Sequence, residues 1–425
     1  MKRFFKIGIG SQILIASVIG VLVGLYLRFF DVGIAPSSFK FLGDIFLDLV
    51  KMVIVPLIFG AITSAILSIK DLKSLGMKAK KGLILFAVTN VVGVSVGLAS
   101  GYIFKPGVVK GFDAKGLILN DASKKMVSEA QKYDSVAEKV LHMIPDNVFK
   151  AFYSGDLLQI IFFSIIFGVA AALIRDKIGD KMSNFISDFA QVMYAMIKIV
   201  MKFAPFGIFG LSVWISGSQS VETISVLMKL VFSAFMAILF MIVVFYPSVL
   251  FLRHRMNPFM FMRKMFPVQL FAFATCSSAA SLPMNMRVVS ENLGATKEST
   301  NLLMPIGTSI DMNGTACHLA LYSVFVAQIF GIPLGISDYV SIGMICFLSS
   351  LGAPPVPGGA VIVLSGVLCS LGYPLEAISL IFAIDKLIGP MRTVGNATGE
   401  AFAPIYVDLL SKELNKKVYN SKNIA

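Results

Sequence analysis

The sequence predicts an all-α protein that crosses a membrane many times, and three observations carry that prediction. Charged residues make up 14% of the 425 positions and apolar residues 56%, where a soluble domain would carry roughly a quarter charged. The mean hydropathy is correspondingly high, +0.83. Apolar runs of about 20 residues recur along the chain, the length a helix needs to cross a hydrocarbon core of ~30 Å. In the last third these runs are interrupted by small and polar residues, and the interruption pattern occurs twice.

Uninterrupted runs come first, at roughly 7–30, 41–69, 83–104, 157–174, 186–215 and 224–252. Met1-Lys2-Arg3 ahead of an apolar run imitates a secretory signal. The run is too long for one and lacks a small-residue cleavage site, so it is expected to be a retained first span. The connections set the orientation. Lys70, Lys73, Lys78, Lys80 and Lys81 separate the second and third runs, and Arg175, Lys177 and Lys181 the fourth and fifth. Arg253, Arg255, Arg263 and Lys264 follow the sixth, and Lys412, Lys416 and Lys417 lie near the C-terminus, whereas 216–223 holds no Lys or Arg. Positive-inside counting places both termini in the cytoplasm of a multi-pass protein of the cell (inner) membrane. The polar stretch 106–156 then falls outside as a flexible extracellular loop.

The second half behaves differently. Thr275-Cys276-Ser277-Ser278-Ala279-Ala280-Ser281-Leu282-Pro283 and Ser349-Ser350-Leu351-Gly352-Ala353-Pro354-Pro355-Val356-Pro357-Gly358-Gly359 each split an apolar stretch into pieces too short to span alone. Such pieces fit re-entrant hairpins, whose non-helical tips are tolerated only inside protein or beside water. Each hairpin is followed by a longer segment with its own polar interruption, Asp311 to Thr315 in one and Arg392 to Glu400 in the other. Repeated interruptions of this kind point to the central site of a secondary transporter.

Composition also excludes classes. The formal net charge of +13 is accounted for by the cationic connections, so no nucleic-acid partner is expected. Cys276, Cys317, Cys346 and Cys369 sit in apolar stretches without metal-ligand spacing and read as packing residues. Gly93-Val94-Ser95-Val96-Gly97 has the bare Gly-x-Ser-x-Gly spacing but lies inside an apolar run and not at a strand-to-helix turn, which speaks against a hydrolase, and no catalytic residues or cofactor are expected.

Arg392 is the most informative side chain. A guanidinium at membrane depth costs several kcal/mol unless paired, and its planar fork suits a carboxylate. The alternative to a substrate carboxylate is an internal partner, Glu400 or Asp385; Glu400 lies ~12 Å further along an intact helix. Asp311, Asn313, Asn396 and Glu400 supply hard oxygens near backbone expected to be unwound, as Na⁺ requires, and the alternative is that a buried carboxylate there carries a proton. Short helices ending at Ser277-Ser278 and Gly358-Gly359 are expected to aim N–H groups inward as an anion cradle. His318 reads as a packed, hydrogen-bonded histidine in preference to a proton relay.

At these residues the chain resembles the dicarboxylate/amino acid:cation symporter family, which includes glutamate and aspartate transporters. The likeness covers nearly the full length: Lys51-Met-Val-Ile-Val-Pro56, Asp156-Leu-Leu-Gln-Ile-Ile161, Lys202-Phe-Ala-Pro205 and both hairpin–helix units. The resemblance implies eight transmembrane helices plus two re-entrant hairpins, related as inverted repeats, in a homotrimer working as an elevator-type transporter. It implies scaffold helices 1–2 over 1–82, helix 3 over 83–105, the loop 106–156 and scaffold helices 4–5 over 157–215. A transport domain over 216–412 and a cytoplasmic tail over 413–425 complete the chain, with helix 3 belonging to the transport domain.

Position by position, the resemblance assigns Arg392 to the substrate's side-chain carboxylate. Thr315, Asn396, Ser278 and backbone around Val356 become further substrate contacts. Gly307, Asp311, Asn396 and Glu400 match one cation site, and Thr89, Asn90, Asp311 and Asn313 another. Backbone near Ser309, Met312, Ser350 and Ala353 matches a third. Coupling ions are thus Na⁺ or H⁺.

The departures shape the expected cargo. The usual Asn-Met-Asp-Gly-Thr of helix seven is Asp311-Met312-Asn313-Gly314-Thr315 here, the last acid of helix eight is Glu400 in place of Asp, and Phe86 replaces a tyrosine. Pro354-Pro355 stand where glycine is common at the second tip. Gly389, three residues before Arg392, occupies the place of the aspartate that holds a substrate's α-amino group. An ammonium buried without a counter-charge is costly, so the reading tilts towards C4-dicarboxylates over acidic amino acids. A neutral amino acid symporter and a passive anion channel are the alternatives; the first leaves Arg392 unpaired, and the second predicts current without saturable exchange.

Overall fold

The structure is a computed structural model describing residues 9–30, 33–67, 77–108, 144–154, 157–174, 177, 180–218, 221–353 and 359–421. Every regular element among them is helical. The first half holds α1 (Ile9–Phe29), α2 (Lys40–Leu67), α3 (Met77–Phe104), a short α4 (Val148–Ser154), α5 (Leu157–Leu173), α6 (Lys181–Met201) and α7 (Ala204–Ser218). The second holds α8 (Val221–Phe240), which passes through a π-turn at Met241–Phe245 into α9 (Tyr246–His254), then α10 (Pro258–Thr275), α11 (Ser278–Arg287) and α12 (Lys297–Ile310). It continues with α13 (Asn313–Ile329), α14 (Ile336–Ser350), α15 (Gly359–Leu371), α16 (Ala377–Ser411) and α17 (Lys416–Asn420).

Two helical stretches among the described residues, Met77–Phe104 and Ile224–His254, are long and apolar enough to cross a membrane alone. The run expected as a single fifth span is two helices. Lys202 and Phe203 donate to carbonyls three residues back, Ile199 and Val200, at 3.0 and 2.9 Å, and Pro205 follows. Proline lacks an N–H and disfavours helical backbone before it, so the chain turns there. The expected loop 106–156 contains α4, and its centre, 109–143, lies outside the described residues.

Close helix approach in the second half depends on small residues. α3 lies against α13 along Gly93 and Gly97, where an added Cβ would stand 2.4 Å from the Asn313 carbonyl oxygen and 2.0 Å from that of Cys317. A backbone-to-backbone contact of this kind admits no side chain.

The first hairpin is formed by α10 and α11. Cys276 ends α10 in the left-handed region at φ 51°, and Ser277 caps α11 by accepting from Ala280 N at 3.2 Å. Ser277-Ser278 therefore begins a helix, correcting the expectation of one ending there, and the free N–H groups belong to α11. In the second hairpin α14 ends at Ser350 and α15 begins at Gly359; residues 354–358, Val356 among them, lie outside the described residues.

The two interrupted segments differ. The first is broken: Asp311 and Met312 leave helical backbone, with ψ of 68° and 45°, between α12 and α13. The second was expected to be broken too, but α16 runs unbroken from Ala377 to Ser411 past Arg392, Asn396 and Glu400. Thr393 and Thr398 donate to the carbonyls of Gly389 and Val394 at 3.1 and 2.7 Å, so their hydroxyls fold back onto the helix. Residues 413–421 of the expected tail dock on the base of the first hairpin.

Candidate functional site: a buried guanidinium beside an oxygen cluster

The α12–α13 break builds the site. The N–H groups of Gly314 and Thr315, at the start of α13, donate to Oδ1 of Asn396 at 2.8 and 3.2 Å. A side chain on the intact helix thus caps the broken one. Asn396 Nδ2 donates to Thr315 Oγ1 at 3.2 Å and to Met312 Sδ at 3.3 Å. On the other side, Asn90 Nδ2 reaches the Ile310 carbonyl at 3.1 Å, and Thr89 Oγ1 donates to Asp311 Oδ1 at 2.8 Å.

Around Asp311 is a group of buried side-chain oxygens, with one amide nitrogen, whose hydrogen bonding is incomplete. Asp311 Oδ2, Asn90 Oδ1, both side-chain heteroatoms of Asn313, both carboxylate oxygens of Glu400, Asn285 Oδ1 and the Tyr246 hydroxyl make no well-formed hydrogen bond. They converge: a Cβ on Gly399 would stand 1.9 Å from Asn313 Nδ2, 2.8 Å from the Tyr246 hydroxyl and 2.9 Å from Asp311 Oδ2. Glu400, wholly buried, faces Asp311 and is flanked by Thr308, Ser278 and Asn285. Buried polar atoms are almost always satisfied, so such a concentration asks for cations or protons. The carboxylate, amide and hydroxyl oxygens among them are hard donors that fit Na⁺.

Gly399→Ala tests this geometry. Overpacking costs about 1–3 kcal/mol, so cation affinity is expected to fall roughly tenfold or more, read as a rightward shift of the Na⁺ dependence of thermal unfolding. An unchanged dependence would place the cations elsewhere.

Arg392, about two turns before Glu400 on α16, is 5% exposed, with Nη1 bound to Asp385 Oδ1 at 2.7 Å. Of the two internal partners weighed, the structure selects Asp385, and Glu400 belongs to the oxygen cluster. The pair closes across Gly389, where a Cβ would stand 3.3 Å from Arg392 Nη2 and 3.6 Å from Asp385 Oδ2. Tyr322 and His318 of α13 adjoin the guanidinium. The His318 ring packs on Tyr322 at 5.7 Å, with Nε2 3.4 Å from the Ala234 carbonyl, which matches the packed reading.

The structure thus brings together Thr89, Asn90, Gly307, Asp311, Met312, Asn313, Thr315, Asn396 and Glu400, with Ser278 at the hairpin tip beside Glu400 and Gly389 beside Arg392. Ser309 is exposed on α12, while its neighbour Thr308 is the buried one. The Ser350 hydroxyl bonds its own helix at Phe347, and Ala353 N bonds Ser350, so neither is tied to the cluster. Tyr246, Asn285 and Thr308 were not anticipated, since each is a single polar residue with no spacing signal.

Broken helices, a buried guanidinium and an oxygen cluster held close together define a membrane protein that handles small ions. The chain belongs to the sodium:dicarboxylate symporter family, whose model matches residues 9–410; this is a family of transporters, not enzymes. It is 32% identical to the proton/sodium-glutamate symport protein of Geobacillus stearothermophilus over 97% of this chain and 96% of that one. It is 32% identical to the C4-dicarboxylate transport protein of Bacillus subtilis, covering 98% and 96%. The corresponding figures for the C4-dicarboxylate transport protein of Pseudomonas fluorescens are 33%, 97% and 90%.

Proposed function

We propose that the protein is a secondary active symporter that moves a dicarboxylic acid together with Na⁺ or H⁺ across the cell membrane. Its candidate substrates are C4-dicarboxylates and acidic amino acids. The observation that carries this reading is Arg392, a buried guanidinium on the same helix as Glu400, whose carboxylate belongs to a buried cluster of incompletely hydrogen-bonded polar atoms. The ion pair uses only part of the five-donor fork and leaves N–H groups for a substrate carboxylate. Thr315, Asn396, Ser278 and the backbone at Val356 complete the substrate contacts. Gly307, Asp311, Asn313, Asn396, Glu400, Thr89 and Asn90 hold the coupling ions, with backbone near Ser309, Met312, Ser350 and Ala353 as a third site. The arrangement is one of eight transmembrane helices and two re-entrant hairpins in a homotrimer, with α3 and 216–412 moving against the remaining helices and both termini cytoplasmic.

Gly389 and Asp385 favour a substrate without an amine. The resemblance expects a carboxylate at 389 for an ammonium group, and Asp385 is already held by Arg392. Gly389→Asp is therefore expected to move the ratio of aspartate to succinate uptake by at least about tenfold towards aspartate. Competition between the two labelled acids measures it, and an unmoved ratio removes Gly389 as a determinant of cargo.

The whole reading is tested by uptake of labelled succinate and aspartate into proteoliposomes under imposed Na⁺ or pH gradients. Gradient-driven accumulation of either supports it; transport of neither, or current without counterflow, overturns it.

A further inference from the structure

We propose that the C-terminal segment Glu413–Ser421 is a strap that sets the position of the first hairpin, with Lys264 and Tyr419 as positioning residues for the site. Lys264 is 1% exposed. Its ammonium donates to the carbonyls of Asn292, Val418 and Tyr419 at 2.8, 2.7 and 2.9 Å, and meets Ser421 Oγ at 3.4 Å. Among the described residues no carboxylate shares this place, and the partners of the charge are neutral oxygens. Val418 and Tyr419 present carbonyls from the last turn of α17, that of Val418 also accepting from Ser421 N and Oγ at 3.2 and 2.9 Å, and Asn292 lies at the end of the hairpin's second limb. One cation therefore joins the first limb, the second limb and the C-terminal segment.

The same segment grips the hairpin at two more points. The Tyr419 ring is buried, and its hydroxyl donates to the Asn257 carbonyl, at the start of the first limb, at 3.0 Å. Asn415 N donates to the Gly294 carbonyl at 2.9 Å. Gly294 has φ +76°, and a Cβ there would stand 2.4 Å from the Asn415 carbonyl oxygen, so this contact demands glycine twice over. The near end of the strap is fixed by Lys78, which bridges Glu413 and Glu298 at 2.6 and 2.9 Å.

The far end of the hairpin is where chemistry is proposed. Asn285 donates to the Ala397 carbonyl at 2.9 Å and Gln269 to Thr398 at 3.2 Å, bringing Ser278 and Asn285 beside Glu400. The first limb is ~27 Å long at 1.5 Å per residue, so a tilt of ~3° at its base moves the tip by more than ~1 Å. A pin at the base thereby governs contact distances at the tip. The role at the site rests on the transport reading; the mechanical role does not.

Two variants of the full-length protein test the strap. Lys264→Met keeps the apolar stem and removes the charge, and Tyr419→Phe removes one hydroxyl. Both are expected to speed hydrogen exchange selectively in 258–292 and to raise the half-saturating concentrations of substrate and coupling cation. For Lys264→Met the rise is about tenfold, the size a lost charge-assisted hydrogen bond supports, with the maximal rate held within about twofold. Wild-type exchange in the hairpin overturns the strap, and so does a rise spread evenly over all helices. Faster hairpin exchange at unchanged half-saturation overturns the positioning role. If Lys264→Met does not fold, Tyr419→Phe decides by the same readouts. Hairpin exchange needs no substrate, so failure of the strap and failure of the transport reading are told apart.

Discussion

Replacing Arg392 by methionine is expected to abolish saturable dicarboxylate uptake and to destabilise the protein at the same time. The two losses have separate causes. Removing one partner of a buried ion pair leaves Asp385 charged and uncompensated, a cost of about 3–5 kcal/mol in a pair linked at 2.7 Å. Pairing Arg392→Met with Asp385→Asn removes that charge, so the double variant should regain most of the unfolding temperature. Uptake should stay absent, because the carboxylate-binding fork is gone. Thermal unfolding and proteoliposome uptake on the same preparations separate the two roles. Recovery of uptake in the double variant would reduce Arg392 to a structural residue.

The second large effect is expected at Asp311. A cation present at a hundred times its dissociation constant adds about 2.7 kcal/mol of stability to the form that binds it. Asp311→Asn keeps the shape of the side chain and removes its charge. The variant should lose most of the upward shift in unfolding temperature that wild type shows in NaCl over choline chloride, or between two pH values if the proton is the coupling ion. Gradient-driven uptake should fall in parallel. A full cation-induced shift in the variant would show that the Asp311 carboxylate is no ligand.

Much of this was legible in the sequence because membrane helices are punctuated by the residues that break them. Ser277-Ser278 and Gly359 fell at helix boundaries, as starts where the sequence suggested ends, and Asp311-Met312 marked a true break. Arg392 to Glu400 misled, since polarity within a long helix resembles an interruption until its hydroxyls are seen bonding back to Gly389 and Val394. The division at Lys202 was written in Pro205 but masked by apolar residues on both sides. Tyr246, Asn285 and Thr308 were illegible for a different reason. Each gains meaning only from the carboxylate it is folded against, and nothing local announces that neighbour.

The amide of Asn396 has a thermodynamic consequence. It caps the start of α13 and contacts Thr315 and Met312, while Gly314 lies so close to Arg392 that an added Cβ would stand 2.4 Å from the Arg392 carbonyl oxygen. On the proposed assignment, a substrate at Arg392 and a cation at Asp311 are linked through this one short stretch of chain. They can influence each other without touching. Whatever factor the cation contributes to the substrate's dissociation constant, the substrate must return to the cation's, because such a coupling free energy belongs to both ligands equally.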